Sequence, residues 1–297
     1  MEWRPSQESL ELIRGTIDMH IHAAPSLFPR LMDDFELSAE LQSYGMKGAV
    51  IKSHAGCTAS RAAIANKHSG KNTRLYGSLT LNYFVGGLNP FAVDSALSLG
   101  AAVIWMPTIH AQNHFDFYGG GTYKTQKMER PLKEPKGGIS ILNESGKLVE
   151  AIYEIIDLVA SNGACLATGH LGNREAIALC EEAIKRGVKR VIFTHPDFET
   201  SKLPIEEQAR LAKMGIYMEK TLLSLLPGWD SVTPEYMAET IKSVGASRCI
   251  MTTDFGQASN PSPPVGLARF VDLMLKCGVR CDEISLMLIH NPKELLD

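Results

Sequence analysis

The sequence predicts an α/β fold, a single (β/α)8 barrel of the TIM type spanning residues 1–297. A short N-terminal helix precedes the barrel, and a long loop follows its fourth strand. Three observations carry this prediction. Short apolar runs such as GAVIKSH, AAVIWMPT and RVIFTH recur along the chain, and nearly continuous apolar runs suit parallel strands covered on both faces. Amphipathic segments closed by glycine separate them, which calls for parallel pairing through right-handed crossovers. Eight such units in one chain of 297 residues favour closure into a barrel over an open doubly wound sheet, since no glycine fingerprint follows the first strand.

In order, the strands are expected at 16–22, 48–54, 75–81, 102–108, 165–170, 190–195, 216–221 and 249–254. The helices are expected at 33–44, 58–69, 90–99, 147–162, 174–186, 205–214, 234–244 and 265–277. Each is followed by a glycine (Gly45, Gly70, Gly100, Gly163, Gly187, Gly215, Gly245 and Gly278). Glycine there permits the left-handed cap that turns the chain back toward the next strand. Asn89-Pro90 and Thr233-Pro234 supply helix starts, a capping side chain followed by proline at the first helical position. Residues 110–145 lack periodicity, and a loop that long within a compact domain is expected to be functional, as a lid or substrate wall.

Composition narrows the partners. Hydrophobic residues make up 44% and charged residues 21%, enough to bury a large core. A formal charge of -3 without a Lys/Arg run argues against nucleic acid. No secretory leader and no apolar stretch of about 18 residues is evident, so a cytoplasmic protein without a membrane span is expected. The six cysteines are scattered; Cys165 and Cys249 fall in strand-like runs and read as free buried thiols, and Cys277 and Cys281 lack a second Cys/His pair. The expected partner is a small-molecule substrate, with self-association left open.

The chemistry collects at the strand ends. The first strand ends Asp18-Met19-His20-Ile21-His22, the second Lys52-Ser53-His54, the fifth Gly169-His170, the sixth Thr194-His195 and the eighth Thr253-Asp254. Residues two apart in a strand share a face, so Asp18, His20 and His22 are expected together, as are Lys52 and His54. If that face is the interior, these groups converge at the C-terminal mouth, where barrel enzymes carry their active sites. A lone histidine at a strand end is usually structural, but five of nine histidines ending strands is harder to dismiss. Neutral imidazoles with a carboxylate form a site suited to a divalent transition metal: zinc first, with manganese or iron as alternatives. Arg30 is a candidate clamp for a substrate anion. His110, His114 and Tyr118, in the long loop, are candidate substrate-binding residues.

The ordered set His20-x-His22, His170, His195 and Asp254 on strands one, five, six and eight resembles the amidohydrolase superfamily, over nearly the whole chain. The closing Asn291–Leu296 segment, NPKELL, is similar to the family's tail. The resemblance implies one or two metal ions that activate water against an ester, lactone, amide, cyclic or phosphoester bond, with Asp254 as the proton acceptor. One departure stands out. The bridging lysine or glutamate usual near the end of strand four is absent from the Trp105–Thr108 stretch, and the nearest substitutes are Lys52, as a carboxylated bridge, and Glu219, with His54 as a further ligand. Two other readings fit the same residues: a metal-dependent, non-hydrolytic decarboxylase and a non-catalytic metal-binding barrel.

Overall fold

The computed structural model describes residues 3–297 except 71, 124–127, 129, 131, 134 and 230. Helix α1 (Gln7–Leu12) precedes β1 (Ile17–Ile21). The Ser6 side chain caps α1, and the same hydroxyl donates to Asp272 at 2.6 Å, pinning the N-terminus to the last large helix. The chain then runs α2 (Asp34–Ser43), β2 (Gly48–Ile51), α3 (Ala59–His68), β3 (Arg74–Thr80), α4 (Pro90–Ser98) and β4 (Ala101–Trp105). After β4 come α5 (Gln112–Tyr118), α6 (Glu150–Asn162), β5 (Cys165–Ala167), α7 (Asn173–Lys185), β6 (Val191–Phe193) and α8 (Ile205–Lys213). Strand β7 (Tyr217–Thr221), α9 (Pro234–Val244), β8 (Cys249–Thr252) and α10 (Pro263–Lys276) complete the repeats, and α11 (Cys281–Ser285) and α12 (Asn291–Leu296) follow.

The eight strands pair in parallel in sequence order. Closure between β8 and β1 rests on Asp254 N–H to His20 C=O at 3.0 Å and His22 N–H to Phe255 C=O at 2.7 Å. Apolar residues divide between two layers. Most pack between the sheet and its helices, and a smaller set fills the interior: Ile17, Met19, Val50, Val103, Trp105 and Ile250, among others. Leu295 joins that inner set from α12. The C-terminal helix therefore plugs the end opposite the mouth, held by Asn291, whose side chain donates to Cys249 C=O at 2.6 Å and Ala246 C=O at 2.8 Å. Among the described residues no helix is long and apolar enough to cross a membrane.

Three differences from the sequence reading have physical causes. The strands stop earlier than the apolar runs, because the polar residues at their ends leave the ladder for the mouth. Residues 110–145 are not all loop: Gln112–Tyr118 form α5, closed by Gly119 in the left-handed conformation, and the Ala111↔Ile139 bridge fastens the returning chain. Finally, β1 is not a regular alternation. Its register against β2 advances three residues, Asp18 to Ile21, where β2 advances two, Ala49 to Ile51. That is a β-bulge. It lets Met19 face the interior while Ile21 packs outward, and it separates Asp18 from the two histidines expected beside it. Asp18 instead accepts from Thr253 Oγ1 at 2.6 Å and His20 N–H at 3.1 Å, joining β1 to the end of β8.

Behind β7 lies a buried ion pair that the sequence pattern does not announce. Lys220 donates to Asp197 at 2.8 Å, Gln208 at 2.7 Å and Thr240 at 2.8 Å, which satisfies all three of its protons. Removing one partner leaves an uncompensated buried charge, so Lys220→Met is expected to cost about 3–5 kcal/mol of stability, measured by urea denaturation.

Candidate metal centre

The groups at the mouth converge around His20, which the bulge turns inward. His20 Nδ1 lies 2.8 Å from Glu219 Oε1, and a carboxylate partner there places the ring proton on Nδ1. Nε2 then carries the lone pair, which accepts from Lys52 Nζ at 3.0 Å and faces Asp254 Oδ1 at 3.1 Å. His22 Nε2 lies 3.0 Å from the same Asp254 oxygen. Two acceptors, the His20 nitrogen and the Asp254 oxygen, thus face one another, with the Lys52 ammonium beside them. One ligand atom each from His20, His22 and Asp254 falls within 4.8 Å of the others.

The backbone is constrained to deliver these groups. His195 and Asp254 have φ of 29° and 57°, a region that non-glycine residues seldom occupy and that costs roughly 1–3 kcal/mol each. Gly256, at φ 135°, has no room for a side chain: a Cβ there would overlap the His22 carbonyl. This close approach, with the Arg30↔Gln257 bridge, lays the loop after β8 against the loop after β1.

His170 and His195 join the cluster from β5 and β6, with ring centroids 5.1 Å apart and that of His195 6.4 Å from that of His20. His54 stacks on His22 at 5.0 Å and bonds Thr108 Oγ1 through Nδ1 at 2.8 Å. Burial lowers the basicity of all of these imidazoles. His20 falls to about 3 and His195 to about 4, while His22, His54 and His170 sit well below the ordinary histidine range. Neutral imidazole is the form that binds a metal. Burial also raises Glu219 to about 7 and lowers Lys52 to about 8 and Arg30 to about 10.

Several sequence-derived candidates take places other than those expected. Glu219, read as a candidate ligand, is occupied by neighbours: Oε1 takes His20 Nδ1 and the Thr252 hydroxyl, and Oε2 takes the His195 N–H at 3.1 Å. It orients His20. Lys52 forms no ion pair with Asp254 or Glu219 among the described residues; its ammonium lies 4.5 Å from the Trp105 ring centroid, a cation–π contact, as well as on His20. Of the substrate-binding candidates, Arg30 lines the cavity. His110, His114 and Tyr118 do not line it: His110 Nδ1 accepts from the Tyr83 N–H at 3.0 Å, His114 contacts His170 at 3.1 Å, and the Tyr118 hydroxyl donates to Glu199 at 3.0 Å.

Over the cluster lies a cavity continuous with solvent at the mouth, with about 320 Å³ of space when that open solvent is counted. His22, His54, His170, His195 and Asp254 line it on the side of the cluster. Tyr123, Phe198 and Trp229 form an aromatic wall, Leu223 lies beside it, and Gln257 stands near Arg30. Except for Tyr123, read as part of the long loop, none of these wall residues was legible in the sequence. Phe198 and Gln257 had a usable signal, since each lies three residues after a strand-end group, His195 and Asp254. Trp229 had none.

The model of one family, described as a family of unknown function (DUF6282), matches residues 15–219. The chain belongs to this family. The match takes in His20, His22, Lys52, His54, His170, His195 and Glu219, while Asp254 lies beyond it. No curated protein matches the DUF6282 chain in sequence. Among solved structures it is similar to an amidohydrolase from Pseudomonas aeruginosa (15% identity, 98% of each chain covered, TM-score 0.61). It is also similar to an organophosphorus hydrolase from Deinococcus radiodurans (11% identity, 97% of this chain and 94% of the other, TM-score 0.58). A third is a TatD homolog from Escherichia coli (15% identity, 96% and 98% covered, TM-score 0.55). At these identities the likeness is one of fold: the DUF6282 chain has the barrel of amidohydrolase-type proteins.

Glu219→Gln tests the orienting role within the cluster. The amide has one acceptor oxygen where the carboxylate has two, so it cannot serve the His20, Thr252 and His195 donors together, and control of the His20 tautomer weakens. Metal affinity, read by competition with a chelator, is expected to fall roughly 10–100-fold, as for other partners of ligating histidines.

Proposed function

We propose that this protein is a metal-dependent hydrolase of small molecules, with a divalent transition ion, zinc in the first instance, held by His20, His22 and Asp254. One observation carries the reading. A ring nitrogen each from His20 and His22 and a carboxylate oxygen of Asp254 lie within 4.8 Å of one another at the barrel mouth. The ion, when bound, supplies Lewis acidity, acidifying water and polarising the oxygen of an ester, lactone, amide, cyclic or phosphoester bond.

The chain's own residues do the rest. Asp254 takes the proton of the attacking water and returns it to the leaving group. Glu219 holds His20 in the tautomer that puts the lone pair on Nε2. His170 and His195, neutral in the same cavity, are further donors for the ion or for substrate oxygen. Lys52 sets the number of ions. Its amine can add carbon dioxide, forming an N–C bond and releasing a proton, and the resulting carbamate offers anionic oxygens to a second ion, with His54 as a further donor.

Elemental analysis of purified protein, joined to a hydrolysis panel in ¹⁸O-water, tests this reading. One or two equivalents of transition metal are expected, with ¹⁸O in the product and activity lost on chelation and regained on metal addition. Carbon dioxide release without ¹⁸O incorporation would instead make the protein a decarboxylase. Bound metal without turnover on any substrate class would make it a binding barrel.

A further inference from the structure

A cation lines the cavity. Arg30 enters from the loop after β1, and Nε donates to Ser26 Oγ at 3.2 Å. Nη1 is buried without a hydrogen-bond partner. Among the described residues Arg30 is in no ion pair. Its backbone is bridged to that of Gln257, and its guanidinium carbon lies 5.8 Å from the Phe28 ring centroid, so the group is held by the wall and not swung out to water. A half-buried guanidinium with a buried, unmet donor is costly until an anion reaches it. Among the described residues Asp254 is the one carboxylate lining the cavity, and it already faces His20 and His22. With Arg30, Lys52 and a divalent ion present, positive charge outweighs the carboxylates of Asp254 and Glu219.

The aromatic part of the lining has different chemistry. Tyr123 and Trp229 meet edge to face at 5.4 Å, and Phe198 adjoins Trp229 at 5.7 Å. Such rings pack against a flat apolar body.

We infer that the substrate is an aryl or similarly flat apolar acid, whose carboxylate or phosphoryl group binds Arg30 while its body lies on Tyr123, Phe198 and Trp229. This rests on reading the cavity as the active site, and it adds the substrate class. A planar fork matches either oxyanion in two parallel hydrogen bonds, and the anion supplies the acceptor that Nη1 lacks.

Titration calorimetry with benzoate, phenylphosphonate, benzamide and acetate tests this on both metal-free and metal-loaded protein. Benzoate and benzamide share a shape and differ in charge; acetate has the charge without the ring; phenylphosphonate tells a phosphoryl site from a carboxylate one. Benzoate or phenylphosphonate is expected to bind metal-free protein, with benzamide and acetate weaker. Arg30→Met should weaken the anion roughly 10–100-fold, the range for a charge-assisted hydrogen bond, and leave benzamide unchanged. Trp229→Ala should weaken benzoate and leave acetate unchanged. Arg30→Lys keeps the charge but loses the fork, and a several-fold loss is expected there too, with circular dichroism confirming the fold. Equal binding of benzoate and benzamide, or an unchanged anion affinity in either folded Arg30 variant, would overturn the inference. Binding by metal-free protein separates the two ideas: an Arg30-dependent anion site in a protein that never takes up metal would sink the hydrolase reading and leave this one standing.

Discussion

Replacing His20 and His22 together by Ala is expected to strip the bound metal and lower turnover by at least about 1000-fold, because water acidification depends on the ion. The two rings supply two of the three atoms that meet at the mouth. Metal content by elemental analysis and turnover on the best panel substrate should fall together. The fold should persist, since both rings sit at the mouth and the apolar interior beneath them is filled by other residues. A folded double variant with normal metal and turnover would remove these histidines from the site.

Asp254→Asn is the second large effect, and it separates chemistry from binding. The amide keeps the size of the carboxylate and an oxygen that can still face the two histidines. It cannot take up the proton of an attacking water. Turnover is expected to fall at least roughly 100-fold, the lower range for loss of a general base, with at least one ion still bound. The strained φ of Asp254 suits asparagine, which tolerates the left-handed region, so the substitution should fold. Near-normal turnover in this variant would take the aspartate out of the mechanism, and with it most of the case for hydrolysis over metal binding.

What could be read from sequence, and what could not, follows from the range of the interactions. The barrel was legible because each strand and each glycine stop is a local pattern, and the pairing of eight such units in order adds no further choice. His20, His22, His170, His195 and Asp254 were legible because parallel strands all end at the same rim. The role of Glu219 was not, since it depends on β7 reaching β1 across β8 in the closed barrel, a contact between residues 199 positions apart. The bulge in β1 escaped for a related reason. Strict alternation placed Asp18 beside His20, and only the pairing with β2 reveals the extra residue. His110, His114 and Tyr118 lie in a segment whose path is set by α5 and by the Ala111↔Ile139 bridge, neither of which a polar, aromatic stretch of sequence discloses.

The most direct test of the central claim is an anomalous-difference map from crystals of zinc-loaded protein, recorded on both sides of the metal's absorption edge. The account predicts a peak roughly 2.0–2.2 Å from His20 Nε2, His22 Nε2 and an oxygen of Asp254, the ordinary zinc distances to these ligands. A map with no peak there, and with the Lys52 ammonium still seated on His20 Nε2, would contradict it.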